Sequence, residues 1–150
     1  MQFTHERTLI VDRPLRAVRG HWAEPDALAG RLSHIRAVAP GPADDLARFV
    51  ICLDTSHLEF AVQRTMNTDE TLCWQSLGTE FLYVLCVTFR PQAGGTCLTL
   101  TVAYDPPGFL ADVAESLGLA RLFERALDAD LRRYADALRQ RPPAELALVE

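Results

Sequence analysis

The beginning of the chain changes from a strand-like to a helical hydrophobic pattern. Residues 2–11 alternate between apolar and polar side chains, as a half-buried strand does. Leu15, Val18 and Trp22 then recur at helical spacing. Glu24-Pro25-Asp26 breaks this helix before a second short one. The pattern predicts one strand followed by two short helices.

A strand-like pattern then continues for about seventy residues, divided into runs by turn-forming residues. In the last three runs the large apolar side chains share one parity, and the other parity is smaller and more polar. We therefore expect one covered face and one face that meets water or a light contact. The six predicted strands cover roughly 34–39, 46–53, 57–66, 71–77, 81–90 and 96–104.

After Asp105-Pro106-Pro107-Gly108 the hydrophobic period becomes 3.6. Apolar residues from Leu110 to Leu138 keep one stripe, which predicts a single long amphipathic helix. Gly118 lies within this stripe, and we predict a bend there. The whole pattern predicts one domain over 1–141 and a mobile tail over 142–150.

The long C-terminal helix is the only predicted element with enough apolar surface to cover the sheet. Seven strands span about 30 Å, whereas a helix with its side chains is about 10 to 12 Å wide. The sheet must therefore curve around the helix, and the remaining space is either packed by side chains or hollow. We predict an α+β fold in which a seven-stranded antiparallel sheet curves around this helix. The choice between cavity and packed core stays open.

Composition and charge narrow the classes of partner. The net charge is −5, and the fifteen basic residues are all arginine and do not form a run. Nucleic-acid binding needs clustered positive charge, so we expect no nucleic-acid partner. No apolar stretch approaches the roughly 20 residues that span a bilayer, and the first residues lack the layout of a signal peptide. We expect a cytoplasmic protein that is not integral to a membrane.

The cysteines and histidines do not show the spacing of a metal site. Cys52, Cys73, Cys86 and Cys97 form no C-x-x-C pair, and the four histidines form no H-x-x-x-H pair. Cys52 and His57 are five residues apart, and an odd separation on a strand sends side chains to opposite faces. We predict no metal, no cofactor, and cysteines that remain free thiols.

Two serine–histidine dipeptides look like a nucleophile beside its base. They are Ser33-His34 and Ser56-His57, and neighbours on a strand cannot share a hydrogen bond because they point to opposite faces. The motifs of hydrolases, kinases and metalloproteases are missing from the sequence. We therefore expect no serine catalysis, and these three classes have no motif support.

Six short motifs follow one another along residues 3–139. They are Val11-Asp12-Arg13-Pro14, Ala23-Glu24-Pro25-Asp26-Ala27-Leu28, Leu72-Cys73-Trp74-Gln75-Ser76, Val87-Thr88-Phe89-Arg90-Pro91 with Gly95-Thr96, Tyr104-Asp105-Pro106-Pro107-Gly108, and Asp130-Leu131-Arg132-Arg133-Tyr134. Together with the order of the predicted elements, they resemble the START-like or SRPBCC superfamily and its helix-grip fold. The resemblance is closest to the polyketide cyclase/dehydrase and coenzyme Q-binding branch.

This resemblance implies a small hydrophobic ligand, such as a lipid, a quinone or a polyketide-like compound, in a cavity between sheet and helix. Some members of the superfamily catalyse cyclisation and dehydration by positioning a reactive chain among arginine, tyrosine and serine side chains. Fold alone does not decide between these functions. A polyketide cyclase or dehydratase and a protein-interaction module remain alternatives. We expect a monomer or homodimer.

Arg64 is the one strong charge that alternation directs inward. It shares parity with Phe60, Val62 and Met66, which belong to the covered face. A buried arginine needs a partner. That partner is a ligand anion, an acid such as Glu115, or water reached at the end of the strand.

Aromatic side chains of the same parity could line a pocket or simply pack. A tyrosine hydroxyl in an apolar cavity needs a hydrogen-bond partner, which a ligand oxygen would supply. The inward polar set offers few acid–base groups, even with His5 and Arg7 near a rim, so binding is favoured over catalysis. No catalytic residue is assigned. The candidate ligand-binding residues are Phe60, Arg64, Trp74, Ser76, Tyr83, Phe89, Tyr104, Leu117 and Phe123.

Overall fold

The computed structural model describes residues 2–53, 56–78, 81–105 and 118–140. The order of elements is as predicted, and the bounds of the strands agree within two residues. The predicted helical residues 110–117 and the predicted tail over 142–150 lie outside the described residues. The elements are β1 (Phe3–Val11), α1 (Leu15–Ala23), α2 (Pro25–Arg31), β2 (Ile35–Pro40), β3 (Leu46–Leu53), β4 (Ser56–Asn67), β5 (Thr71–Ser76), β6 (Leu82–Gln92), β7 (Gly95–Asp105) and α3 (Leu119–Gln140).

All seven strands form one antiparallel sheet in the order β1-β7-β6-β5-β4-β3-β2. Strands β2 to β6 each pair with the next strand along the chain. β1 instead pairs with β7 along its whole length, from Phe3 opposite Tyr104 to Val11 opposite Thr96. The curved sheet holds α3 against its concave face, and the two short helices connect β1 to β2. This is the predicted helix-grip arrangement.

The side chains that face α3 lie at the alternate strand positions that the sequence predicts. Every second residue of β7 from Thr96 to Tyr104 is buried, and so is every second residue of β6 from Tyr83 to Phe89. The intervening positions are partly exposed. A strand with one covered face has this alternation, because successive side chains point to opposite sides of the sheet.

Met66 corrects the parity argument at the end of β4. Alternation placed Met66 on the covered face together with Arg64, but Met66 is 45% exposed. The pairing with β5 shifts between these two residues, since Arg64 lies opposite Trp74 whereas Met66 lies opposite Cys73. A bulge inserts one residue and changes the face to which later side chains point. The alternation therefore holds only as far as Arg64.

The prediction of free thiols is wrong for two of the four cysteines. Cys73 and Cys86 are directly opposite each other in the β5–β6 pair, with Cα atoms 4.1 Å apart, and form a disulfide. Cys52 and Cys97 are not disulfide-bonded. The sequence separation of 13 between Cys73 and Cys86 hides this contact, because it depends on the strand register.

The placement of Cys52 and His57 on opposite faces is also wrong. They lie on two different strands, because β3 ends at Leu53 and β4 begins at Ser56. Cys52 and His57 are directly opposed across this hairpin, so that they share a face. Within the described residues, no group of three or more histidine, cysteine and acidic side chains is arranged to hold a metal ion. No described helix is long and apolar enough to cross a membrane.

Gly95 is required where β7 begins. A Cβ atom added there would overlap the carbonyl oxygen of Val11, which is backbone and cannot move aside as a side chain would. We expect Gly95→Ala to lower the free energy of unfolding by about 1 to 3 kcal/mol, because it overpacks this contact. In the control Gly20→Ala, the new methyl group has open space within α1, and we expect a gain of about 0.5 to 1 kcal/mol. Urea denaturation of both variants measures the two changes, and a stable Gly95→Ala protein would contradict the close approach.

Candidate functional site

Two tyrosines stand side by side on the concave face of the sheet. Tyr83 of β6 and Tyr104 of β7 are direct partners in the strand register, and both are fully buried. They lie near the end of the sheet at which β1 begins and β7 ends. Each hydroxyl contacts a histidine from another part of the chain, so the site is built from two tyrosine–histidine pairs.

The first pair joins Tyr83 to His34, the residue that precedes β2. The hydroxyl lies 2.6 Å from Nε2 of His34, and both side chains are buried. Burial lowers the pKa of His34 to about 3, with a smaller contribution from the charge of His5. Burial also raises the pKa of Tyr83 well above its usual range. Both groups are therefore neutral at physiological pH.

The second pair joins Tyr104 to His5 of β1. The tyrosine hydroxyl lies 3.3 Å from Nε2 of His5, and Nδ1 of the same ring lies 3.3 Å from a carboxylate oxygen of Glu124 on α3. Burial, followed by the negative charge of Glu124, raises the pKa of Tyr104. Arg7 contacts Glu124 at 3.5 Å and Asp128 at 2.6 Å. Glu124 and Arg7 connect this pair to charged groups at the surface.

Phe123 of α3 packs between the two pairs. Its ring centroid lies 4.7 Å from that of His34, 5.0 Å from that of His5 and 5.0 Å from that of Tyr104. α3 thus places an apolar ring between the imidazoles of His5 and His34. The predicted inward position of Phe123 is confirmed by its burial.

Aromatic rings continue the site from Tyr83 towards β3, β4 and β5. Phe60 packs against Tyr83 with centroids 5.4 Å apart, and Phe81 packs against Phe60 at 5.1 Å. Phe49 contacts both Tyr83 and Trp74 at about 6 Å. The polar pairs therefore border a surface of aromatic rings.

Arg64 lies at the far side of this aromatic group. Its guanidinium carbon is 5.3 Å from the centre of the Trp74 ring, and the side chain is partly buried. The predicted inward direction is confirmed by this contact. Stacking on an aromatic face is a favourable environment for a guanidinium that still reaches water. The possible acidic partner Glu115 lies outside the described residues.

The remaining predicted site residues are Ser76, Phe89 and Leu117. Ser76 is buried, and its hydroxyl donates to the carbonyl of Phe81 at 2.8 Å and accepts from the amide of Tyr83 at 3.0 Å. These bonds join the end of β5 to the beginning of β6. Phe89 is buried six residues from Tyr83 along β6, about 20 Å away, and is not part of the same group. Leu117 lies outside the described residues.

Sequence analysis missed His34 and Glu124 as partners of the tyrosines. His34 and Ile35 are consecutive and both buried, so strand alternation gives no signal for the histidine. Glu124 follows Phe123 at the border of the apolar stripe of α3, where an acid is usually solvated. His5 was placed near a rim, and its odd position in β1 does give the correct inward parity.

Ser33 and His34 do not act on each other. Ser33 binds Asp130 of α3 through its amide at 2.9 Å and its hydroxyl at 3.0 Å, while His34 binds Tyr83. The two residues thus bind different partners, as expected, although both precede β2 and strand alternation does not apply to them. A third histidine–tyrosine contact, His21 with Tyr134 at 2.8 Å, joins α1 to α3 away from the site. It provides a matched control for the two internal pairs.

Known proteins resemble this chain in structure. No protein-family model and no curated protein matches the sequence. DR_A0006 from Deinococcus radiodurans superposes with a TM-score of 0.72 at 19% identity, over 89% of this chain and 95% of that one. A START superfamily protein from Mycobacterium smegmatis gives 0.64 at 11% identity, over 90% and 98%.

A third structural neighbour is the Zhui aromatase/cyclase from Streptomyces sp. R1128. Its TM-score is 0.59 at 15% identity, and the match covers 91% of this chain and 98% of that chain. Identities this low show the fold and leave ligand and activity open. The architecture, the concave site and these neighbours lead to one conclusion: the chain has a START-like, helix-grip fold.

Proposed function

We propose that this protein binds a small hydrophobic ligand between the concave face of the sheet and α3. The observation that carries the proposal is the pair of buried tyrosine–histidine contacts beside a group of aromatic rings. Buried polar groups cost free energy unless they are hydrogen-bonded, and a purely structural core would need none of them. The aromatic rings would contact the apolar body of the ligand, and the tyrosines would contact its polar group.

The hydrogen bonds indicate which polar group fits. A tyrosine hydroxyl has one proton and accepts through its oxygen lone pairs. Nδ1 of His5 faces the carboxylate of Glu124 and therefore carries the ring proton, so Tyr104 donates to Nε2 and the remaining capacity of its oxygen is as an acceptor. A ligand hydroxyl would supply the missing donor. Near Arg64, by contrast, an acidic group would find a positive charge beside Trp74.

A displacement titration tests binding and head-group preference together. The reporter is N-phenyl-1-naphthylamine, whose fluorescence rises in apolar surroundings, and the competitors are dodecan-1-ol, dodecanoate and 1,4-naphthoquinone. We expect saturable displacement at micromolar concentration, which corresponds to roughly 8 kcal/mol. Tyr83→Phe should weaken dodecan-1-ol about tenfold, because a buried hydrogen bond is lost. The control Tyr134→Phe removes a histidine-bonded hydroxyl outside the site and should leave all affinities unchanged.

The variant Arg64→Leu tests whether Arg64 binds an acidic ligand group or only lies at the surface. If Arg64 holds an acidic head group, the variant should weaken dodecanoate about 10- to 100-fold and spare dodecan-1-ol. Its stability should change by only about 0.5 to 1 kcal/mol, the value of an exposed cation–π contact. Equal affinities of wild type and variant for dodecanoate would remove Arg64 from the site. If none of the three competitors binds saturably, the ligand-binding proposal is wrong and a protein-interaction module is favoured.

Cyclisation or dehydration of a bound polyketide chain is the second candidate. The specific observation in its favour is that His5 and His34 are both buried at the site. They add acid–base groups to a site in which the sequence pattern alone predicts too few of them. The structural likeness to the Zhui aromatase/cyclase supports the same candidate. A synthetic poly-β-ketone thioester provides the test, since ring closure and loss of water produce aromatic absorbance. Turnover that His34→Gln and His5→Gln leave unchanged would argue against catalysis at this site.

A further inference from the structure

Only one of the two tyrosine–histidine pairs is linked to the surface through described residues. Tyr104 and His5 are buried, whereas the side chain of Glu124 is 43% exposed. The three groups lie in a row, with 3.3 Å at each contact. The Tyr83–His34 pair has no such carboxylate among its recorded contacts in the described residues.

The chemistry of the three groups fixes the direction of their hydrogen bonds. A carboxylate accepts only, so Nδ1 of His5 must carry the proton that lies towards Glu124. In the neutral ring the lone pair of Nε2 then faces Tyr104, whose hydroxyl donates to it. The phenol oxygen keeps a lone pair for a third partner. Glu124, His5 and Tyr104 thus have the order of a carboxylate, a base and a hydroxyl that the base can deprotonate.

We propose that Tyr104, His5 and Glu124 form a proton relay that deprotonates a ligand bound on the concave face. The ligand class is a phenol, or a ketone with an acidic proton on the carbon beside its carbonyl. The proton leaves the ligand for the oxygen of Tyr104 while the hydroxyl proton of Tyr104 passes to Nε2 of His5. The bonding electrons stay on the ligand as a phenolate or enolate. Tyr104 ends neutral, and His5 becomes an imidazolium beside Glu124.

In this scheme the imidazolium of His5 would lie beside a carboxylate and neutral rings. Glu124 on α3 faces the ring directly, Tyr104 on β7 is neutral, and Phe123 stacks on it. Arg7 is shared between Glu124 and Asp128, so that its charge is balanced by two carboxylates. His34, which lies beyond Phe123, stays neutral because burial holds its pKa near 3. Tyr104 is the catalytic residue in this scheme, and His5 and Glu124 are positioning residues.

The test uses a probe whose ionisation is visible in its absorption spectrum. The probe is 6-cyano-2-naphthol at a pH two units below its own solution pKa, and its methyl ether, which cannot ionise, reports binding alone. We compare wild type, Glu124→Gln, Tyr104→Phe and the control Asp128→Asn. Asp128 binds the same arginine one helical turn away but has no recorded contact with His5. Thermal unfolding confirms that each variant is folded.

We expect bound probe to show naphtholate absorption in the wild type and in Asp128→Asn. Glu124→Gln should lower the ratio of ionised to neutral probe by about tenfold or more, because the imidazolium loses the carboxylate beside it. Tyr104→Phe should abolish the ionised form. For Asp128→Asn, the ratio of ionised to neutral probe should stay within about twofold of the wild-type ratio, because an exposed ion pair contributes little energy.

Two results would overturn the relay while leaving ligand binding intact. One is binding of the methyl ether without ionisation of the naphthol, and the other is an equal response of Glu124→Gln and Asp128→Asn. The relay rests on the proposed ligand binding, so failure of both probes to bind would overturn the two proposals together. A measurement without ligand provides an independent check: nitrogen-15 NMR of His5 should show the Nδ1–H tautomer. An Nε2–H tautomer would reverse the direction of the relay and disprove it.

Discussion

Replacement of Phe123 with alanine is expected to lower the free energy of unfolding by about 3 to 5 kcal/mol. Phe123 is buried and packs against the rings of His5, His34 and Tyr104, so the truncation leaves a cavity at the junction of sheet and helix. Urea denaturation followed by circular dichroism measures the loss.

Leu122 provides the matched control for this truncation. It is the preceding residue of α3 and is 49% exposed. Leu122→Ala removes a large apolar side chain that is partly exposed to solvent, and we expect a change within about 0.5 kcal/mol. Similar losses in both variants would contradict the view that packing against the histidines determines the effect of Phe123→Ala.

Acid is expected to destabilise the protein through His34. The pKa of this residue falls from 6.5 to about 3 on folding, mainly through burial. Between those values the unfolded chain binds a proton that the folded protein does not bind. The free energy of unfolding therefore falls as the pH falls from 6.5, by about 3 kcal/mol at pH 4. Above pH 6.5 the imidazole is neutral in both states and contributes no pH dependence.

The proton count on unfolding isolates this contribution from that of the other groups. His34→Gln should reduce the number of protons taken up on unfolding at pH 5 by about one, which is a slope of about 1.4 kcal/mol per pH unit. Tyr83, which bonds His34, stays neutral throughout this range, and His5 is unchanged in the variant. His57→Gln removes an exposed imidazole and should follow the wild-type curve. Parallel curves for wild type and His34→Gln would disprove the burial argument.

Local periodicity was sufficient to predict the sheet and the faces of its strands. Tyr83 and Tyr104 follow from alternation in β6 and β7, because side-chain direction on a strand repeats every two residues. Phe123 follows from the helical stripe of α3 in the same way. Each of these predictions needs only neighbouring residues.

Contacts between strands could not be predicted in this way. The Cys73–Cys86 disulfide and the opposition of Cys52 and His57 depend on which strands pair and in which register. Periodicity within one strand contains no information on either. The bulge before Met66 changes the phase of alternation without a glycine or proline to mark it.

In the candidate site, too, the sequence predicts the direction of side chains but not their hydrogen-bond partners. Alternation indicated that the tyrosine hydroxyls point inward, but it could not supply His34, which reaches Tyr83 across forty-nine residues. Nor could it join His5 to Glu124, which are 119 residues apart. The polar partners are thus a property of the assembled fold and not of any single element.

The pairing of the first strand with the last has a consequence for how the protein is made. Strands β2 to β7 can form hairpins with their neighbours as the chain leaves the ribosome, whereas β1 must wait until β7 has been synthesised. Long-range pairings of this kind are slow because a large loop must close first. His5 lies on β1 and reaches Tyr104 across 99 residues, so this contact cannot form before β7 is complete. We expect nascent chains that end before β7 to hold a partial sheet and an unpaired first strand, and therefore to be the species most in need of a chaperone.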